Sequence, residues 1–369
     1  MRNKVVGIGL VLALAATGLV VATSASASKH KAMTKVTLQL KWVPQAQFAG
    51  YYAALDLGYY KAAGLDVTIK SGGPNIVPEQ VVAGGGAQFG LDWLPSLLAS
   101  RDQGTKLVNI AQVFARSGMT QITWKSSGIK TIAQMKHKKV ANWLGGNQFE
   151  LYAALQKYGI NPNNSKDVTI VQEPFSMGFF VAHQADSASA MTYNELAQVL
   201  ETKNPKTGKL FKLSDLNVIP FQKVGTGMLE DGIFSTASYL KSAANRATAE
   251  KFIGASLAGW IYCRDHVAKC VQFTLKAGPT LPKGHQTWMM NEINKLIWPN
   301  TSGIGVMNTA DFTRTARIAL QFKVIKHKPS GSYRTDLAKA AVAGLKARGM
   351  DVYGKGYKPI HVTLHEGGK

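Results

Sequence analysis

Four short runs gather aromatic rings, amides and carboxylates in a pattern suited to holding a flat, nitrogen-rich molecule. They are Trp42-Val43-Pro44-Gln45-Ala46-Gln47-Phe48, Asp92-Trp93, Asn142-Trp143-Leu144-Gly145-Gly146-Asn147 and Thr192-Tyr193-Asn194-Glu195. Tryptophan and tyrosine faces stack on planar rings. Asn, Gln and Asp edges pair with ring nitrogens, amines and carbonyls. Gly145 and Gly146 allow close backbone approach and offer N–H groups at a helix start. Each run alone has a plainer explanation: inter-lobe packing for the rings, a helix cap for Asp92. A fifth run, Met228-Leu229-Glu230-Asp231-Gly232, sets two carboxylates side by side. Such a pair suits acid–base work or a ligand amine, and a solvated turn is the bland alternative.

Recognisable catalytic equipment is missing. The chain has no Gly-x-Ser-x-Gly elbow, no His-Glu-x-x-His and no Walker A loop. Gly84-Gly85-Gly86 precedes a strand-like segment, whereas a dinucleotide loop follows one, so it reads as a turn. The 8 histidines show no metal-ligand spacing. No catalytic residue, metal or cofactor is expected.

The elements that must position these runs alternate between strand and helix. Strands are expected at 36–42, 66–70, 88–93, 107–114, 121–124, 139–143, 168–172, 188–192, 218–221 and 232–235. Helices fall between them, notably at 48–60, 78–83, 95–102, 148–158 and 194–201. This alternation predicts parallel sheets built from βαβ units. One set runs to residue 117 and a second from about 120 to 225, with crossovers near 116–120 and 223–230. From Ser242 the chain reads mostly helical. Ligands of open α/β sheets bind at the carboxyl ends of strands, and all four aromatic–amide runs fall at such ends.

The chain has 369 residues, 46% hydrophobic and 17% charged, enough for about two or three domains. That composition excludes a disordered chain. Arg2 and Lys4 precede an apolar stretch to Ala22, and Ala25-Ser26-Ala27 fits a secretory cleavage site. Residues 1–27 are expected to be a signal peptide, an uncleaved anchor being the alternative. Export to the periplasm or the outer face of the cytoplasmic membrane follows. The 43 Lys+Arg against 21 Asp+Glu give +22. The basic residues are scattered without a nucleic-acid-binding signature, so attraction to anionic lipid or wall polymer accounts for the sign and no nucleic acid is expected. Cys263 and Cys270 are the only thiols. One continuous helix would separate them by ~10.5 Å along its axis. A break at Arg264-Asp265, with Asp265 capping a helix from His266, would let them bond.

The same runs carry a family likeness. Leu40 through Ala54, with its Trp42-Val43-Pro44-Gln45-Ala46-Gln47-Phe48 core, resembles the opening motif of ABC-importer substrate-binding proteins related to thiamine-pyrimidine synthase. That group includes sulfonate, taurine and riboflavin binders. Gly58-Tyr59-Tyr60, Gly64-Leu65-Asp66-Val67, Gly145 to Glu150, Met191 to Glu195 and Glu230-Asp231-Gly232 extend the likeness over roughly residues 36–325. The resemblance implies a bilobal periplasmic-binding-protein fold of type II, with two βαβ lobes joined by a two-strand hinge and a helical C-terminal region. Lobe 1 would comprise 28–117 and 226–369, and lobe 2 would comprise 118–225. The likeness implies ligand capture by a monomer and delivery to an ABC permease, not catalysis. Trp42, Asp92, Trp143, Tyr193 and Glu230 match its pocket positions, and Gln45 and Gln47 its amide positions. Trp93, Gly145, Gly146, Asn147 and Asn194 complete the expected site. Phe48 stands where the synthase branch carries a consumed histidine, and two cysteines cannot supply that branch's cysteine cluster. A planar heteroaromatic vitamin precursor is therefore expected, a thiamine-type aminopyrimidine first and riboflavin next, with the pyrimidine synthase as the enzymatic alternative.

Overall fold

The structure is a computed structural model that describes residues 32–369. The expected signal peptide lies outside the described residues. Among the described residues no helix is long and apolar enough to cross a membrane.

Two five-stranded sheets organise the chain. The first contains β1 (Thr34–Gln39), β2 (Leu65–Lys70), β3 (Phe89–Trp93) and β4 (Leu107–Gln112). The second contains β5 (Met119–Trp124), β6 (Lys139–Asn142), β7 (Thr169–Gln172), β8 (Ser187–Met191) and β9 (Leu216–Pro220). The chain then returns as β10 (Asp231–Thr236) to the first sheet. The strand orders are β2-β1-β3-β10-β4 and β7-β6-β8-β5-β9. These orders are the same pattern, with β10 and β5 in equivalent places. Each sheet is thus completed by the strand that arrives from the other.

The expectation of purely parallel sheets needs correcting. β10 runs antiparallel to β3 and β4, and β5 runs antiparallel to β8 and β9. The reason is where the chain enters. A strand crossing over from the other sheet arrives at the carboxyl ends of its new neighbours and must run back against them. Asp231, the first residue of β10, therefore lies opposite Trp93, the last of β3. Met119, first in β5, lies opposite Met191, last in β8. Both crossovers are delivered to the edge where the aromatic–amide runs also end.

Local sequence explains the strands. β1 buries Val36 and Leu38 by alternation. β3 is buried along its whole length, as a central strand covered on both faces should be. It holds Gly90 because a Cβ there would stand 2.4 Å from the Phe234 ring of β10. β8 is Ser-Ala-Ser-Ala-Met, buried throughout; its small side chains rather than strong β propensity fit it to the sheet centre.

The C-terminal region is helical as expected: Ala243–Asp265, Val267–Ala277, Lys283–Ile297, Thr309–Gln321 and Asp336–Ala347. The Ser242 hydroxyl caps the first of these and Asn308 the fourth. Helix Ala243–Asp265 packs on helix Ala49–Asp56. Gly259 makes that crossing possible, since a Cβ there would meet the Gly50 carbonyl at 2.0 Å. Cys263 and Cys270 are bonded, with Cα atoms 5.4 Å apart. The break that brings them together falls at His266, one residue later than the spacing suggested. Asp265 does not cap; it ends the preceding helix and accepts from Arg264 Nε at 2.8 Å.

Candidate functional site

The loops at the strand carboxyl ends enclose a two-part cleft. A cavity of about 540 Å³ is lined by Trp42, Asp92, Trp143, Gly145, Gly146 and Asn147, together with Lys41, Glu79, Ser96, Leu144, Glu173 and Phe175 among others. Adjoining it, with Lys41, Trp42, Trp143 and Asn147 in common, a cavity of about 30 Å³ is lined also by Gln45, Gln47, Trp93, Tyr193, Asn194 and Glu195. Every residue expected from the sequence lines one or both, except Glu230. That side chain is fully buried between the crossovers and faces neither cavity.

The wall built on the first sheet is a network of buried charge. Lys41 pairs with Asp92, both nearly inaccessible, and its ammonium lies 5.0 Å from the centre of the Trp93 ring. Asp92 Oδ1 also accepts from the Trp93 backbone N–H. Glu79 lines the same cavity and feels both charges. Burial first, and then the negative charge of Asp92, push its carboxyl well above the usual range. Its Oε1 is buried without a hydrogen-bond partner. Asp231 accepts from Gln47 Nε2 at 2.9 Å and from Trp93 Nε1 at 3.0 Å, and burial pushes it up to about 7. Gln47 in turn accepts from Gln45 Nε2 at 2.6 Å. The Gln45–Gln47–Asp231–Trp93 chain locks these groups in place, so Gln47 spends its amide on Asp231.

The wall built on the second sheet is more loop-like. Gly145 and Gly146 adopt φ of 103° and 129°, which favours glycine. Their N–H groups are not offered to the cleft, contrary to expectation. Both donate to Gln148 Oε1, at 3.2 and 2.8 Å, and helix Phe149–Lys157 starts only beyond it. The Gly146 carbonyl accepts from Ser96 Oγ at 2.9 Å, a bond that spans the cleft. Glu173 is 3% exposed and its Oε2 accepts from Ser189 N at 3.0 Å, while Oε1 has no partner. Burial, then Glu195, raises it well above the ordinary range. Glu195 accepts from Met191 N and Asn194 Nδ2, and burial pushes it up to about 7. Asn194 is further held by His285, which also contacts Glu201. Tyr193 is buried edge-on to Phe114.

Phe175, from the loop after β7, stacks on Trp42 with centroids 5.4 Å apart and planes 10° apart. Phe175 is 55% exposed. Lys41, Glu79, Glu173 and Phe175 escaped the sequence reading. Glu173 follows the carboxyl end of β7 directly, so the strand-end rule extended to that strand would have found it.

Lys41 is the only Lys or Arg lining either cavity, and it is already paired. Against it stand Glu79, Asp92, Glu173 and Glu195. A chain of +22 has an acidic cleft. Such a cleft suits a ligand rich in N–H donors. Among the described residues no group of His, Cys, Asp and Glu is arranged to hold a metal ion.

Comparison with known proteins agrees with this architecture. The family model described as NMT1/THI5 like matches residues 45–269, and the chain belongs to that family. It is 31% identical over 88 residues to the formylaminopyrimidine-binding protein of Halalkalibacterium halodurans, covering 24% of this chain and 27% of that one. It is 24% identical over 148 residues to the riboflavin-binding protein RibY of Chloroflexus aurantiacus, covering 39% and 41%. The chain spans less than half the length of the curated relatives it matches. Among solved structures, the periplasmic aliphatic sulphonate binding protein SsuA of Escherichia coli superposes with a TM-score of 0.58 at 14% identity, over 89% of this chain and 94% of that one. The desulfurization enzyme DSZB superposes with a TM-score of 0.51 at 11% identity, over 85% and 99%. A Candida albicans protein with the generic periplasmic binding protein structural fold superposes with a TM-score of 0.56 at 12% identity, over 90% of this chain and 98% of that one. The chain has the periplasmic-binding-protein fold, and that fold carries both binders and an enzyme.

Proposed function

We propose that this NMT1/THI5-like chain is the extracytoplasmic ligand-capturing component of an ABC importer, and that its ligand is a planar heteroaromatic vitamin precursor of the aminopyrimidine type. One observation carries the ligand class. Glu79 and Glu173 line the larger cavity from opposite sheets, and each keeps a buried oxygen without a partner. A buried polar atom left unpaired costs about 1–3 kcal/mol. A ligand that brings N–H donors to both walls recovers that cost, and it does so only when the walls come together around it. A sulfonate would instead meet carboxyls on both sides, with Lys41 already neutralised by Asp92.

The division into lobe 1 (28–117 and 226–369) and lobe 2 (118–225) belongs to the same reading. Closure about the crossovers then presents a permease with a defined two-lobed surface. The bonded cysteines suit an oxidising, exported location. Their pairing leaves no cysteine cluster for a synthase. A second reading, a riboflavin-class ligand, is favoured by volume. About 540 Å³ is room for a drug-sized molecule, well beyond one six-membered ring.

Mass spectrometry of small molecules released from the purified protein tests all three. An aminopyrimidine supports the first reading and a flavin the second. Pyridoxal phosphate, or loss of a histidine during turnover, would establish the enzymatic alternative. Release of a sulfonate with retained affinity would overturn the ligand class.

A further inference from the structure

Outside the cleft, the molecule buries a second set of carboxyls between its two crossovers. Glu150, on helix Phe149–Lys157, is 1% exposed, and Glu230, just before β10, is 0% exposed. Glu150 touches both crossovers, and Glu230, on the second, reaches the first. Glu150 Oε1 accepts from Met228 N at 2.7 Å, and its Oε2 accepts from Ser117 Oγ at 2.9 Å. Glu230 Oε1 accepts from Gly118 N at 2.7 Å and from Met119 N at 3.1 Å. The two side chains thus tie 117–119 to 228–230, where the chain passes between sheets. Three of their four oxygens have donors, and the fourth, Glu230 Oε2, is buried with none.

We propose that Glu150 and Glu230 are positioning residues that hold the crossovers together through one shared proton, so that lobe closure depends on pH. This rests on the hinged-capture reading given above. The charge of Glu150 acts on Glu230, and two such carboxyls removed from water do not both stay charged. One proton between them supplies the missing donor at Glu230 Oε2 and removes the repulsion. The surroundings offer little other relief. Asp231 and Tyr193 face Glu230 and add no positive charge. Arg314 faces Glu150, but its guanidinium donates to Asp311 at 2.6 Å. Burial raises Glu150 to about 8; burial, then the charges of Glu150 and Asp231, raise Glu230 well above the ordinary range.

The sign follows from where water can reach. Rotating the crossovers apart hydrates the pair and lowers its proton affinity. The compact form therefore binds the proton more tightly than the open form. Its contribution to closure is fully present below the open form's pKa and is lost as pH rises through the compact form's value. One proton limits the effect to about tenfold in closure per pH unit.

The test uses the full chain with thiamine's hydroxymethyl aminopyrimidine and riboflavin as probe ligands. Radius of gyration by small-angle scattering is measured at about pH 6 and about pH 9, with and without probe. The wild-type protein should expand at the higher pH and bind the probe several-fold to tenfold more weakly. Glu230→Gln keeps a carbonyl for Gly118 and Met119 and places an N–H₂ toward Glu150, mimicking the protonated pair. It should stay compact at both pH values. The infrared intensity of protonated carboxyls should be lower in Glu230→Gln than in wild type, the remainder coming from the buried cleft carboxyls Glu79 and Glu173, which gives a second reading independent of binding. If Glu230→Gln expands with pH as wild type does, or wild type does not respond, the shared proton is overturned. Probe-induced compaction that is equal at both pH values would overturn it too, yet leave capture standing. Bound probe without compaction at any pH would sink the hinged reading itself.

Discussion

The first-sheet wall of the cleft and the hinge both bury carboxyls, but they satisfy them differently. In the cleft, Asp92 meets Lys41, and Asp231 meets the Gln47 amide and the Trp93 indole. Those partners are side chains, fixed by packing within the first sheet and its loops. In the hinge, Glu150 and Glu230 take mainly backbone N–H groups of the two crossovers, Glu230 from the one opposite its own. A carboxyl held by side chains of its own wall keeps its environment when the lobes move. A carboxyl held by the backbone of the other crossover does not. On the hinged reading, the Asp92 and Asp231 partners therefore stay in place as the lobes move, and the hinge pair senses lobe position.

Removing the cation from the cleft breaks this contrast most severely. Lys41→Met leaves Asp92 buried without its counter-charge, beside Glu79. Breaking a buried pair from one side costs about 3–5 kcal/mol. Urea unfolding of Lys41→Met should show a loss of that order, and Lys41→Met/Asp92→Asn should recover most of it. Equal stability of the single variant and wild type would mean that Asp92 is not held as an ion, and the cleft would then resemble the hinge.

Ring truncations come next, and they divide the aromatics by role. Base–aromatic stacking is worth about 1–3 kcal/mol by alanine substitution. Trp42→Ala and Trp143→Ala should each weaken probe binding about tenfold or more. Phe175 is exposed and covers the Trp42 face. Phe175→Ala should therefore leave affinity unchanged or raise it. A loss for Phe175→Ala as large as for Trp42→Ala, by titration calorimetry, would make Phe175 the ligand's platform. On the far wall, Glu173→Leu should cost about 1–3 kcal/mol of binding by leaving a ligand donor unpaired. Glu173→Gln, which keeps a neutral polar group there, should cost only several-fold.

These roles were unevenly legible in the sequence. Trp42, Asp92, Trp143 and Tyr193 follow segments whose alternation or apolar runs mark strands, so a rule about strand ends reaches them. Glu79 sits in the first turn of helix Pro78–Ala83, where an acidic residue has a sufficient local reason, and nothing local says it faces a cavity. Glu230 was legible as a carboxylate at a crossover. Its direction was not, because that depends on β10 running antiparallel, and strand direction after a long crossover is set by where the chain enters. The Gly145–Gly146 backbone was legible as permissive, but Gln148 takes its N–H groups through a side chain whose rotamer no spacing rule supplies.

The smallest expected effect isolates an uncharged side-chain hydrogen bond that spans the cleft. Ser96 Oγ donates to the Gly146 carbonyl at 2.9 Å. Ser96 belongs to helix Leu94–Asp102 on the first sheet's side, and Gly146 to the loop after β6 on the second. A neutral hydrogen bond contributes about 0.5–1.5 kcal/mol net. Ser96→Ala removes the donor but leaves the helix and both aromatic walls intact, so unfolding stability should barely change. The compact population without ligand should fall, and probe affinity with it, by about two- to tenfold. A carbonyl and a hydroxyl do not titrate in this range, so the loss should be the same at low and high pH. The hinge pair predicts the opposite behaviour, a loss that grows with pH. Paired measurements on Ser96→Ala and Glu230→Gln therefore separate a fixed clasp across the cleft from a proton-dependent one at the hinge. If the Ser96→Ala deficit itself grew with pH, the two regions would be coupled and the cleft could not be treated as constant.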